Sequence, residues 1–117
     1  MTFDSDETRL PTSLWIDAHL RILSGQGIGY YIVNKGAFAS GTLLLKISLL
    51  NGHAKLLMQV RDMDGKLGWM SAFKTELVIE QDADSYIHRA IDRDPDLWVV
   101  EIEDKQGINP FEEKNIV

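Results

Sequence analysis

The chain has 117 residues, 44% of them hydrophobic and 26% charged, and 18 Asp+Glu against 12 Lys+Arg give a net charge of −6. Its length fits a single domain with one core. The absence of cysteine removes disulfides, thiolate metal sites and cysteine nucleophiles. No Lys/Arg cluster offers the basic face that phosphates demand, so nucleic acid is not an expected partner. The acidic start Asp4-Ser5-Asp6-Glu7 is not expected to act as a secretory leader. No apolar run nears the ~18 residues of a membrane span. A cytoplasmic protein is expected, with flexible acidic tails at 1–9 and 112–117 around a packed domain at 10–111.

Pro11-Thr12-Ser13 opens a first helix, with Thr12 or Ser13 as its cap, and Gly25-Gln26-Gly27 closes it. At 100° per residue, Asp17, Arg21 and Ser24 share a narrow polar strip, leaving an apolar arc of roughly 240° where a surface helix needs little over 100°. Residues 28–34 are rich in aromatic and β-branched side chains and read as a strand. Residues 42–50 alternate with a period of two. Asn51-Gly52 then turns the chain as a two-residue hairpin. That turn pairs Leu50 with His53 and sets Leu43, Leu45, Ile47 and Leu49 against Val60, Met58, Leu56 and Ala54.

Asp64-Gly65 turns the chain again, pairing Met63 with Lys66 and extending the same apolar face into a strand over 67–73. A short extended segment follows at 77–79. Asp82 caps a second helix whose Ala83, Tyr86, Ile87, Ala90 and Ile91 recur at helical spacing. Pro95 disfavours helical geometry at Asp94 and stops it. A last strand over 97–103 turns Trp98, Val100 and Ile102 to one side. The fold class is therefore α+β, an antiparallel meander sheet of about five strands with two helices in the order α-β-β-β-β-α-β, the helices on one face.

Most candidate sites fail on their own chemistry. Gly25-x-Gly27-x-Gly29 follows a helix and precedes a strand, the reverse of a phosphate loop, so a helix end and tight connection explain it better. Asp62-x-Asp64-Gly65 looks like a calcium-loop fragment, but the twelfth position, where a bidentate Glu is needed, holds Phe73. The three histidines show no zinc-hydrolase spacing, and there is no Gly-x-Ser-x-Gly elbow. No catalytic residue, metal site or cofactor is therefore assigned. His88 and Asp92 lie one helical turn apart, the spacing of an ordinary charge pair. His19 sits inside the apolar arc of the first helix, as a core or interface histidine, or else a pH-responsive or ligand-contacting one. Arg89 and Arg93 flank the second helix near Tyr86, and Glu101 and Glu103 project from one side of the last strand. A structural ion pair between the two sets, or plain exposure, is the reading these charges carry.

Leu10-Pro11-Thr12-Ser13-Leu14-Trp15-Ile16-Asp17-Ala18, the Arg61-Asp62-Met63-Asp64-Gly65 turn with Gly68-Trp69, and the block from Asp82 to Gly107 together resemble a family of uncharacterised alphaproteobacterial proteins of about this length, a domain of unknown function. The resemblance covers nearly the whole chain. It implies a small bacterial cytoplasmic protein and brings no activity, cofactor or catalytic residue with it.

Two functions compete on these residues. The apolar arc of the first helix exceeds what one small sheet covers, so the first is a non-catalytic interaction module that forms a homo-oligomer, with Trp15, His19, Leu20 and Leu23 at the contact. The second is a small-molecule binding protein or minor enzyme. An anionic ligand would sit between the second helix and the sheet, held by Tyr86, Arg89, Arg93 and Trp98.

Overall fold

The computed structural model describes residues 11–112. The expected tail at 1–9 lies outside the described residues, as does that at 112–117 apart from Glu112. Among the described residues two helices, α1 (Thr12–Gly25) and α2 (Glu80–Arg93), accompany six strands: β1 (Tyr30–Asn34), β2 (Leu43–Ser48), β3 (His53–Arg61), β4 (Leu67–Ser71), β5 (Val78–Ile79) and β6 (Trp98–Glu103). The class is α+β, as expected. The strands lie in the order β1-β6-β2-β3-β4, with β5 also paired to β3.

Only β2, β3 and β4 form the expected meander. β6 inserts between β1 and β2, parallel to β2 and antiparallel to β1. The connection after β1 crosses the start of β6 and is bonded to it. Asn34 Nδ2 donates to the carbonyls of Pro95 (3.2 Å) and Leu97 (2.7 Å), and Trp98 Nε1 donates to that of Ala37 (2.7 Å). Gly36 is needed there, because a Cβ would strike the Asp96 carbonyl.

The helices do not share a face. α1 buries Ile16, Leu20 and Leu23 on Leu43, Leu45, Ile47, Trp98, Val100 and Ile102. α2 buries Ile87 and Ala90 on Leu44, Leu56, Leu97 and Val99, through the sheet from α1. β2 and β6 are therefore covered on both sides, and every residue of β2 is buried. Each aliphatic side chain so enclosed contributes about 1.5–3 kcal/mol.

Both hairpins differ from expectation by one residue. Leu49, not Leu50, bonds to His53, and Asp62, not Met63, bonds to Lys66. Each loop thus has three residues and ends on a left-handed glycine, Gly52 (φ 90°) or Gly65 (φ 85°). Leu50 is also left-handed (φ 62°). A one-residue shift exchanges the faces of the partner strand. Leu44 accordingly meets Met58, and Lys46 meets Leu56. The caps differ as well. Ser13 N–H donates to the Phe38 carbonyl (2.9 Å), so a neighbouring loop, not Thr12 or Ser13, serves the start of α1. α2 begins at Glu80 after Ile79, and Asp82 lies inside its first turn.

Candidate functional site

The sequence of β2 sets a lysine within an apolar run, and strand alternation turns it away from Leu45 and Ile47, toward α2. Lys46 is 3% exposed, yet its ammonium is met by carboxylates from two elements. Nζ lies 2.8 Å from Asp84 Oδ1 and 2.9 Å from Glu80 Oε1, both on α2, and 3.4 Å from Glu101 Oε1 on β6. Ser48 Oγ donates to the other Glu80 oxygen at 3.2 Å. Glu80 and Asp84 are one helical turn apart, so α2 presents both to the same point.

Burial by itself pulls the Lys46 pKa down. The hydrogen bonds to Asp84 and Glu80 and the charge of Glu101 outweigh it, and the net shift is upward. Lys46 is therefore a permanent cation at neutral pH. A lysine nucleophile or base needs the opposite shift. What the cluster does is lock α2 onto β2 and β6. Among the described residues, no three His, Asp or Glu side chains are arranged to hold a metal ion.

The residues expected around an anionic ligand are not brought together. Trp98 faces α1, while Tyr86 lies on the α2 side against Phe73, with ring centroids 5.3 Å apart. Arg89 and Arg93 are exposed on α2. Arg89 borders a shallow open depression on the outer helix surface, with Gln81, Asp84, Ser85 and His88. Glu101 bonds to Lys46 and not to either arginine. His88 and Asp92, expected as a charge pair, form none among the described residues. In the Asp62–Asp64 turn, Asp62 Oδ1 accepts from the amides of Asp64 and Lys66, both at 2.9 Å, which is the work of a turn staple.

The residues expected at a contact surface fare similarly. His19, Leu20 and Leu23 are buried in the chain's own core, and Trp15 packs against it. His19 Nδ1 lies 2.9 Å from the Trp15 carbonyl oxygen, and its ring stacks on Phe111 at 4.9 Å. Phe111 thus covers part of the arc that the sheet leaves. On α1 only Leu14 and Ile22 remain as large exposed apolar groups.

Sequence reasoning missed two features. One is the Lys46 cluster, whose signal was a charged residue at an even position of a strand with apolar residues on either side of it. The other is β1. Its Tyr30, Tyr31, Ile32 and Val33 are all exposed at the sheet edge.

Fold and cluster together define a small two-sided α+β domain with an internal ion lock. The chain belongs to the protein family of unknown function DUF1491, whose profile matches residues 10–112. It is similar to a DUF1491 protein from Caulobacter crescentus whose crystal structure is 34% identical, with a TM-score of 0.75 over 88% of this chain and 94% of that one. An NMR structure of a DUF1491 protein from the same organism gives 34% identity and a TM-score of 0.74, over 89% and 94%. Protein Atu0922 from A. tumefaciens shares the fold, at 24% identity and a TM-score of 0.66 over 83% and 87%. No curated protein matches the chain. No helix of the described residues is long and apolar enough to cross a membrane.

Proposed function

We propose that this chain is a non-catalytic, cytoplasmic protein-interaction module that associates with itself. The observation that carries the reading is the apolar surface left uncovered by the fold, above all the four consecutive exposed residues Tyr30, Tyr31, Ile32 and Val33. Exposed contiguous apolar surface is an association or aggregation site unless something covers it. The contact differs from the one expected through the first helix, since His19, Leu20 and Leu23 are enclosed within the chain. The lysine held charged among carboxylates supports a structural rather than a catalytic use of the buried polar groups.

Sedimentation velocity across about 10–500 μM tests this, a range set by the weakness of small interfaces. A weight-average mass that climbs toward twice the monomer is the expected result. A mass that stays monomeric throughout would refute the proposal.

A further inference from the structure

The geometry points to β1 as the contact: two copies join antiparallel along this strand, each Tyr30 opposite its own equivalent, so that two sheets become one. The inference rests on the self-association proposed above and specifies its surface.

Among the described residues, the edge is open in hydrogen-bonding terms. The Glu103 amide donates to the Gly29 carbonyl at 3.0 Å, which turns the polar groups of Gly29 and Tyr31 toward β6. By alternation, the N–H and C=O of Tyr30 and Ile32 point away from the sheet. The Ile28 amide is taken by Leu23 at 3.0 Å, leaving its carbonyl outward. A second copy centred on Tyr30 meets these groups in phase. Tyr30 bonds reciprocally to Tyr30, and the Ile32 amide reaches the Ile28 carbonyl of the other copy.

The side chains fit the same register. Tyr30 and Ile32 lie opposite Ile102 and Val100, hence on the α1 face. There the pairing sets Tyr30 on Tyr30 and Ile32 on Ile28. On the other face, Tyr31 of one copy falls across Gly29 of the other, an aromatic over a residue with no side chain. Glu103 is the charge nearest that point, its carboxylate 3.0 Å from where a Gly29 Cβ would stand. The incoming Tyr31 phenol donates to it.

Self-pairing also suits the charge pattern. Residues 25–34 carry no charge in a chain of net charge −6, so this is a stretch where two acidic copies meet without like charges opposed. The opposite edge strand, β4, is flanked by Lys66 and Lys74, the usual protection of an edge. The bulge between Ile32 and Asn34 lies outside the paired segment.

The contact is small. Tyr30 is 42% and Tyr31 66% exposed. At about 200 Å² per tyrosine this amounts to about 200 Å² per copy and 400 Å² per pair. Ile32 and Val33 add to it, yet the total stays below the ~1,200 Å² of stable complexes. The association is therefore weak, and it is sought at high micromolar concentration.

The test compares the wild-type chain with Tyr30→Lys, which opposes like charges on the two-fold axis, and Ile32→Pro, which removes one outward amide and no bond to β6. Ile22→Lys probes the exposed flank of α1. Circular dichroism and thermal melts establish that each variant folds. The expected result is a dissociation constant raised at least about tenfold by either β1 substitution and unchanged by Ile22→Lys. If folded β1 variants dimerise as the wild type does, the β1 contact is wrong while self-association stands. If Ile22→Lys alone disrupts the dimer, the contact belongs to α1. A wild type monomeric at every concentration leaves the edge to a foreign strand and overturns both readings.

Discussion

Replacing Lys46 with Met separates the ion lock from the apolar core. The substitution keeps a long unbranched side chain between β2 and α2 and removes the ammonium that three carboxylates share. Breaking a buried ion pair from one side costs about 3–5 kcal/mol, because the remaining charge has lost its partner. Here the orphaned groups have some relief. The Asp84 side chain is 59% exposed and can turn to water, whereas Glu80 and Glu101, at 31% and 28%, are more confined. The expected loss is therefore near the low end, about 3 kcal/mol, against a total domain stability of about 5–15 kcal/mol. Urea unfolding at pH 7 should place the variant's midpoint about 1–3 M lower at an unchanged slope.

The pH dependence gives the sharper check. The folded pKa of Lys46 lies above the ordinary 10.5, so its contribution is complete below the unfolded value and is lost as pH rises through the folded one. The gap between wild type and Lys46→Met should be flat from about pH 7 to 9 and shrink above about pH 10.5. Titrations common to both proteins cancel in the difference. A gap under about 1 kcal/mol at pH 7, or one undiminished near pH 12, would refute the account of a charged, load-sharing lysine.

Three further substitutions test local geometry. Leu50→Gly should stabilise by about 0.5–1 kcal/mol in thermal or urea unfolding, since left-handed backbone costs a non-glycine about 1–2 kcal/mol and glycine returns part of that as chain entropy. Gly36→Ala drives a Cβ into the Asp96 carbonyl and crowds Trp98 Cδ1 at 2.7 Å, so a loss of more than about 2 kcal/mol is expected in the same assay. Asp62→Ala removes an acceptor of two turn amides and should cost about 1 kcal/mol. Millimolar calcium should leave the melting temperature of the wild type unchanged, whereas a calcium loop would raise it.

What the sequence disclosed depended on local chemistry, and what it hid depended on partners distant along the chain. The period-two run of β2, the helical spacing in α2 and the stop at Pro95 are set by near neighbours, and all are present. The insertion of β6 between β1 and β2 is fixed by contacts such as Asn34 to Leu97, which no window along the chain contains. The hairpins show how little separates the alternatives. Asn51-Gly52 and Asp64-Gly65 suit a two-residue loop, yet the glycines also suit the third position of a longer one. Both registers bring Leu43, Leu45 and Ile47 to one face, so the apolar pattern of β2 could not choose between them. Lys55 could have, because the observed register turns its half-buried side chain to the Gly107 carbonyl, 3.0 Å away. The broad apolar arc of α1 pointed to a partner, and residues of the same chain, Phe111 among them, supply part of it.

The lock and the edge strand make opposite demands on one experiment, which allows them to be separated. β6 touches both: Glu101 reaches Lys46 and also sits opposite Tyr31, and Glu103 leans over Gly29. Association that requires the folded chain stabilises it by mass action, so the wild-type melting temperature should rise with protein concentration between about 10 and 500 μM. In Tyr30→Lys this dependence should vanish while the melting temperature at the lowest concentration stays near that of the wild type, because Tyr30 is outside the core. In Lys46→Met the whole curve should drop yet keep its slope with concentration, since β1 is untouched. A concentration dependence lost in the Lys46 variant at temperatures where it is still folded would mean that the lock shapes the edge itself, and that the two features act as one.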